Sequence, residues 1–244
     1  MPSDGDDPFT QAEKLLTQET IKTLSITDVN TTGTTAEADG NDVTKWEGLT
    51  DSAGMPVDKG VASAGSYGLD KHAPFTATPL RTVLYSTCYH DSAGRKRSRF
   101  IGRTILVTHY DDNDKQLSHD GYLADERKPL CDDDIPDRFR MNTRGTQVLI
   151  PGWDWKNTNG TSWEVAALDV IVEHYFYAVL QECLGITIER QGSSPSEPWD
   201  TLDQSTLQPG GDVYELIDGL EQRGLYTWLA NVVVRGMMGY ERNR

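Results

Sequence analysis

One long apolar stretch constrains this chain more than any other feature of its sequence. Residues 161–184 read TSWEVAALDVIVEHYFYAVLQECL, and no other segment carries as much apolar surface in an uninterrupted helical pattern. Thr161 and Glu164 have the spacing of a capping box, in which each side chain satisfies a backbone N–H at the start of a helix. Gly185 is the residue type that commonly ends one. The stretch therefore predicts a long central helix over residues 161–184, packed on most of its sides.

A narrow polar stripe marks the edge of this helix that we expect to face water or a partner. Ser162, Asp169 and Glu173 lie on that stripe. A membrane span is disfavoured, because Asp169, Glu173 and His174 would then lie near the bilayer centre at a cost of several kcal/mol. We interpret His174 as a buried, hydrogen-bonded side chain or as a neighbour of Glu173.

The region before this helix has the alternation of β-strands. Strand-like segments are separated by the turn sequences DSAGRKR and DDNDK and by the acidic loop CDDDIPD, and they cover residues 81–90, 98–110, 116–123 and 140–150. Connections this short make neighbouring strands antiparallel, so residues 81–150 predict a β-meander. Phe100 and Ile101 point to opposite faces of the second segment, which indicates a strand that is covered on both sides. The long helix is the expected cover of one face.

The first 75 residues have little regular pattern beyond a short predicted helix at 8–24. Residues 25–74 are rich in turn formers, with scattered apolar anchors such as Trp46. They fit either an extended arm that becomes ordered on another surface or long loops folded over the chain's own sheet. We therefore divide the chain into a loop-rich N-terminal arm at 1–75 and an α+β domain at 76–244.

The chain after the long helix completes the predicted fold. A short strand, ITIER, is followed by a connection rich in Pro, Ser and Gly. Two C-terminal helices are predicted within residues 212–240, and the second is amphipathic. The fold class is therefore α+β: an antiparallel β-meander packed on a long central helix, with two C-terminal helices and an extended N-terminal arm.

The charge balance restricts the partners that we expect. The formal net charge is -15 at pH 7, and only 36% of the residues are hydrophobic. An acidic surface of this kind repels nucleic acids and anionic membranes, and it keeps a protein soluble at high salt. An aspartate-rich, lysine-poor chain is also what we expect of a halophilic source.

The cysteines and the N-terminus indicate the compartment. Cys88, Cys131 and Cys183 are widely spaced and form no CxxC pair, which fits reduced thiols better than a disulfide framework or a zinc site. The first residues, MPSDGDDPF, lack the basic and apolar regions of a signal peptide. We expect a protein that is made in the cytoplasm and leaves it only as part of a larger particle.

One acidic segment with two nearby histidines is a candidate metal site. His109 and His119 flank one predicted turn with aspartates nearby, which suggests a metal cluster. If that turn pairs Tyr110 with Lys115, however, the two histidines point to opposite faces of the hairpin, whereas a one-residue slip would reverse this. The DDNDK run also lacks the glycine and the final glutamate of a calcium loop, so we predict a polar hairpin turn.

The remaining motifs give no reason to predict an enzyme. A second acidic cluster comprises Asp132, Asp133, Asp134 and Asp137. Three consecutive carboxylates cannot all face one ion, so a solvated loop is predicted there. The sequence has no GxSxG, Walker, GxGxxG or HExxH motif. We therefore assign no catalytic residues, no metal and no cofactor.

Two surfaces are predicted to take part in self-association. The first, called the basic hairpin, consists of Arg95, Lys96, Arg97, Arg99 and Arg103. Within a chain of net charge -15 it complements the acidic face of an identical neighbour, although such a tip also suits nucleic acid phosphates or simply keeps a sheet edge soluble. The second is the apolar stripe of the last helix, formed by Trp228, Leu229, Val232, Val233 and Met237.

Three functional hypotheses follow. The first is a non-enzymatic structural subunit of a large homo-oligomeric ring, such as a virion neck, connector or tail protein of a tailed virus with a halophilic host. Its partners would be copies of itself and other subunits, with no membrane and with nucleic acid contacted at most by the basic hairpin. The alternatives are a cytoplasmic metal-dependent hydrolase that uses His109, His119 and nearby aspartates, and a soluble protein-binding module.

Overall fold

The structure is a computed structural model that describes residues 8–36, 44–50, 72–111, 113–124, 127–154, 160–181, 183–189 and 198–202. The chain divides into two compact units, Met1–Asp154 and Trp155–Arg244. The first contains an antiparallel sheet with short helices, and the second contains a helix and a small antiparallel sheet. The predicted α+β class is therefore confirmed.

The described part of the first unit contains short helices and strands. In chain order these are α1 (Pro8–Leu16), β1 (Thr23–Val29), α2 (Lys45–Thr50), α3 (Ala73–Thr76), β2 (Thr82–His90), β3 (Lys96–Ile105), β4 (His109–Tyr110), β5 (Gln116–Leu117), β6 (Asp120–Leu123), β7 (Leu130–Cys131) and β8 (Gly145–Pro151). Two 3-10 turns, Asp132–Asp134 and Asp137–Phe139, lie between β7 and β8.

The strand order of the main sheet differs from a simple meander. The order is β1-β8-β2-β3-β6, and β7 also pairs with β3. Strands β2, β3 and β6 are antiparallel neighbours as predicted. Strand β8, the predicted fourth strand, is instead inserted between β1 and β2. The acidic loop explains this placement, because Phe139 accepts a hydrogen bond from Ser86 on β2 and so carries the chain back across the sheet before β8 begins.

Strand β2 is central because both of its faces carry side chains that pack. On one face, Val83 and Tyr85 pack with Trp46, Phe75 and Ile101. The opposite cluster consists of Leu84, Phe100 and Ile135, with Leu130, Phe139 and Leu149 against it. The prediction of a covered strand concerned β3, and it is confirmed there, because Phe100 is buried in one cluster and Ile101 in the other. The covers come from α2, α3 and the acidic loop, and the predicted cover by the long helix stays a prediction.

The N-terminal region contributes directly to this sheet. Strand β1 pairs with β8 over its whole length, from Thr23↔Pro151 to Val29↔Gly145. A side chain on Gly145 would collide with the carbonyl oxygen of Asp28, so glycine permits the close approach at this end. The predicted helix at 8–24 ends at Leu16 because the strand begins soon afterwards.

The chain beyond β1 is also tied to the sheet. Thr34 donates its backbone N–H to Thr87 at 2.9 Å, and its hydroxyl lies 2.8 Å from that of Thr146. Helix α2 begins with a reciprocal capping box between Thr44 and Glu47, which was not predicted. The described parts of the predicted arm therefore fold over their own sheet. The division at residue 75 stays a prediction for the rest of the arm, which lies outside the described residues.

The described part of the second unit contains α4 (Trp163–Leu180), β9 (Ile186–Glu189) and β10 (Pro198–Leu202). Helix α4 has 18 residues, fewer than predicted. Its N-cap is Ser162, which accepts a hydrogen bond from the Val165 N–H, and the predicted cap at Thr161 is wrong by one position. Strand β9 confirms the predicted strand, and it pairs with β10 in a segment for which no regular structure was expected.

Helix α4 exposes an apolar edge. Glu164, Leu168, Val172 and Val179 are buried, whereas Val170, Tyr175 and Tyr177 are more than half exposed. His174 is exposed as well, so the first of its two interpretations, burial, is wrong, and the second, a place beside Glu173, remains. The exposed edge therefore carries Val170 and Tyr177 together with His174, whereas Asp169 and Glu173 of the predicted polar stripe are half-buried. No helix among the described residues combines the length and the apolar character needed to cross a membrane. The predicted helices at 212–240 lie outside the described residues.

Candidate self-association interface

A single carboxylate organises the turn of the basic hairpin. The Oδ1 atom of Asp91 accepts hydrogen bonds from the backbone N–H groups of Ala93 at 3.1 Å and Arg95 at 2.8 Å. Its Oδ2 atom accepts from the Arg95 guanidinium at 2.9 Å. The hydrogen bond from the Arg95 backbone is the main cause that holds the pKa of Asp91 below its ordinary value. Gly94, with φ +75°, completes the turn in a conformation that glycine adopts easily.

Arg97 joins the basic hairpin to the acidic loop of the same molecule. Its Nη1 atom lies 2.8 Å from Oδ2 of Asp132, and its Nε atom lies 3.3 Å from Oδ2 of Asp91. The other oxygen of Asp132 accepts the backbone N–H of Ser98 at 2.8 Å. Asp132 is held at φ +46°, which is uncommon for a residue other than glycine. Much of the charge of Arg97 is therefore neutralised within one chain.

Arg103 is an internal anchor. Its guanidinium donates to the backbone oxygen of Thr50 at 2.8 Å and to Asp120 at 3.1 Å, and its side chain is only 9% exposed. It thereby ties the end of α2 to β6. Arg99 is half-buried, and its buried Nε atom has no hydrogen-bond partner among the described residues. Neither residue belongs to the exposed tip that the sequence suggested.

The exposed charges of this region are fewer than predicted, and they have both signs. Arg95 and Lys96 are exposed at the hairpin tip, and the Lys96 ammonium donates to the backbone oxygen of Asn142 at 2.7 Å. In the neighbouring acidic loop, Asp133 and Asp137 are fully exposed, at 3.9 and 3.6 Å from the Arg140 guanidinium. The ion pair of Arg97 with Asp132 links the positive hairpin to this negative loop.

The two candidate metal ligands are not brought into one cluster. His109 lies 3.0 Å from the backbone oxygen of Val107 and contacts the ring of Phe9, with 5.2 Å between ring centroids. His119 lies 3.3 Å from Asp120, and its backbone oxygen accepts the N–H of Leu106, opposite it in the ladder. Among the described residues, no group of three or more His, Cys, Asp or Glu side chains is arranged to hold a metal ion.

The DDNDK segment uses its first carboxylate for the backbone. Oδ1 of Asp111 accepts the N–H groups of Asn113 and Lys115, both at 2.9 Å, in the same arrangement as Asp91 in the basic hairpin. These hydrogen bonds, chiefly the one from Lys115, lower the pKa of Asp111. Asp114, at φ +59°, occupies the position that Gly94 has in the other turn. The acidic run at this position is thus a hairpin turn.

Strand β1 is an exposed surface that the sequence interpretation missed. It is an edge strand, and Ile26 and Val29 are 57% and 52% exposed. The alternation of Thr23, Leu24, Ser25, Ile26 and Thr27 is the period-two pattern that would have revealed it.

The predicted interface stripe on the last helix, from Trp228 to Met237, lies outside the described residues. No family model, curated protein or solved structure matches the chain.

Proposed function

We propose that this protein is a non-enzymatic structural subunit of a large homo-oligomeric assembly. Within that class, we propose a neck, connector or tail component of a tailed virus with a halophilic host. The observation that carries the proposal is that exposed apolar side chains occur on regular elements of both units. Ile26 and Val29 lie on β1, and Val170, Tyr175 and Tyr177 lie on α4. Apolar side chains presented by a regular strand and helix are suited to contact with other subunits.

The charge layout supports self-association as well. The exposed tip of Arg95 and Lys96 adjoins the exposed carboxylates of Asp133 and Asp137. Two copies brought together at this end can place the positive tip of each against the negative loop of the other, and a ring can use the same two patches in sequence. The net charge of -15 opposes association at low salt, so the contact fits a host with a salt-rich interior.

Native mass is the first test of this proposal. We expect the purified protein to sediment as a particle of defined subunit number in molar KCl, and to appear as a closed ring in negative-stain micrographs. A monomer at tens of micromolar would refute the proposal. Stoichiometric zinc or manganese in the purified protein would favour the hydrolase alternative.

Charge reversal at the hairpin tip tests the contact itself. The double variant Arg95→Glu with Lys96→Glu should weaken assembly, because the tip would then repel the acidic loop of its neighbour. Arg97 is unsuitable for this test, since it bridges Asp91 and Asp132, whereas Arg95 pairs with Asp91 alone and its side chain is 68% exposed. The matched control is Lys115→Glu with Lys128→Glu, an equal change of charge at exposed positions elsewhere. Equal weakening by both double variants would show a general charge effect and contradict a specific contact.

A further inference from the structure

Strand β1 offers an unprotected edge for pairing with another strand. No strand among the described residues pairs with its outer side. Edge strands are usually protected by Lys, Pro or a bulge, yet residues 23–29 contain neither residue type, and their register with β8 is continuous. Ile26 is 57% exposed at the middle of this edge.

The register determines which backbone groups of β1 face outward. At one end, Gly152 donates to the backbone oxygen of Lys22, and at the other, Asn30 donates to that of Arg144. Hydrogen-bonded positions alternate along an antiparallel ladder, so the even-numbered residues of β1 face β8. The outward backbone groups therefore belong to Thr23, Ser25, Thr27 and Val29.

We propose that β1 pairs antiparallel with β1 of a second copy, about a two-fold axis at Ile26. In this register every outward-facing residue of each strand lies opposite one of the partner strand, Thr23 opposite Val29 and Ser25 opposite Thr27. The two sheets then become continuous through about eight new backbone hydrogen bonds. The occupant of the edge is a second copy because the strand is complementary to itself.

The side chains fit the same register. Ile26 meets Ile26 of the partner subunit at a non-hydrogen-bonded position, where side chains approach closely and apolar pairs stabilise a sheet. Asp28 lies opposite Leu24 of the partner subunit, so the two carboxylates do not face each other. Moving the axis to Asp28 would bring these carboxylates together and leave Thr23 and Ser25 unpaired. The charge and the hydrogen bonds thus favour one register.

A polar row on the other face is already ordered for this contact. The hydroxyls of Ser25 and Thr27 are 3.1 Å apart, and Gln147 donates to them at 3.3 and 3.2 Å. In the proposed pair, Ser25 lies opposite Thr27 of the partner subunit, a combination that forms cross-strand hydrogen bonds. This dimer goes beyond the proposed function, since it requires neither the basic hairpin nor a virion.

A charge swap at the axis tests the pairing. Ile26→Lys and Ile26→Glu should each abolish the dimer in sedimentation experiments, because like charges then face each other across the axis. An equimolar mixture of the two variants should restore it. The control pair is Leu123→Lys and Leu123→Glu, at a residue 58% exposed on β6. A mixture that associates no better than either Ile26 variant alone would overturn the proposal.

A covalent link tests the position of the axis. In a Cys183→Ser background, which removes the exposed thiol, Ile26→Cys should form a disulfide-linked dimer roughly ten times faster than Leu123→Cys. Equal rates at the two positions would overturn the proposed register. The link should also form when Arg95 and Lys96 are changed to Glu. If the disulfide link fails to form while the wild type still builds a larger particle, the proposed β1 pairing is wrong and the proposed function stands. If the link forms but the protein stays a dimer, the β1 pairing stands and the proposed function is wrong.

Discussion

A basic residue of this hairpin can either anchor the fold or take part in assembly. Replacing Arg103 distinguishes these two roles. The side chain makes two charge-assisted hydrogen bonds, to the backbone of Thr50 and to Asp120. Bonds of this kind contribute about 1.5–3 kcal/mol each. Asp120 is 24% exposed and regains some hydration when its partner is lost, so the lower end of the range applies. We expect Arg103→Met, which keeps the apolar stem, to lower the free energy of unfolding by about 3 kcal/mol.

The assay is urea unfolding monitored by circular dichroism. We expect the dependence of the unfolding free energy on urea concentration to stay unchanged. Arg95→Met is the matched control, because Arg95 is 68% exposed and its ion pair should contribute less than about 1 kcal/mol. A double-mutant cycle with Asp120→Asn should give a coupling energy above roughly 1 kcal/mol. Equal effects of the two arginine replacements on stability, or a loss of assembly in a variant that stays stable, would refute the internal role of Arg103.

Four further predictions concern the stability of the fold. Gly145→Ala should lower the urea midpoint, because the added methyl group collides with the Asp28 carbonyl; an unchanged midpoint would contradict the close approach. Burial raises the pKa of Tyr85 from 10.0 to about 12. The stability present below pH 10 should therefore fall by on the order of 2 kcal/mol as the pH rises to 12. In urea titrations at high pH, Tyr85→Phe should reduce that loss. The lowered pKa of Asp91 stabilises the fold above its ordinary pKa and loses that effect as the pH falls, so Asp91→Asn should make stability less dependent on pH below about 4. Thermal unfolding should shift to higher temperature in molar KCl, because salt screens a net charge of -15; a lower midpoint would count against a halophilic source.

Local patterns in the sequence predict the central hairpin well. The alternation of apolar residues and the turn at Asp91 locate β2 and β3 to within a few residues of their ends. The strand ITIER and the helix around Leu168 are predicted for the same reason, because an apolar pattern runs without interruption through each segment. Each of these signals lies within one contiguous segment of the chain.

The strand order and the role of the arginines depend on residues far apart in the sequence. Strand β1 is short and polar, and its pairing with β8 joins Asp28 to Thr146 across 118 positions. No local pattern indicates that pairing. The positive charge at Arg97 and Arg103 suggested a free surface, because the carboxylates that neutralise them, Asp132 and Asp120, lie 35 and 17 positions away. The exposed positive charge of the basic hairpin is therefore smaller than the sequence suggests, and its role as an interface stays a prediction.

The insertion of β8 between β1 and β2 has a consequence for synthesis on the ribosome. Strand β1 is made well before the strand that holds it, which begins at Gly145, and the bond between Thr34 and Thr146 spans 112 positions. Closing a loop of that length is slow compared with forming the hairpin of β2 and β3. A nascent chain must therefore carry β1 with both of its sides open until β8, more than a hundred positions further along, has been made. Crowded polysomes would expose neighbouring copies of this strand to one another before either has its own partner.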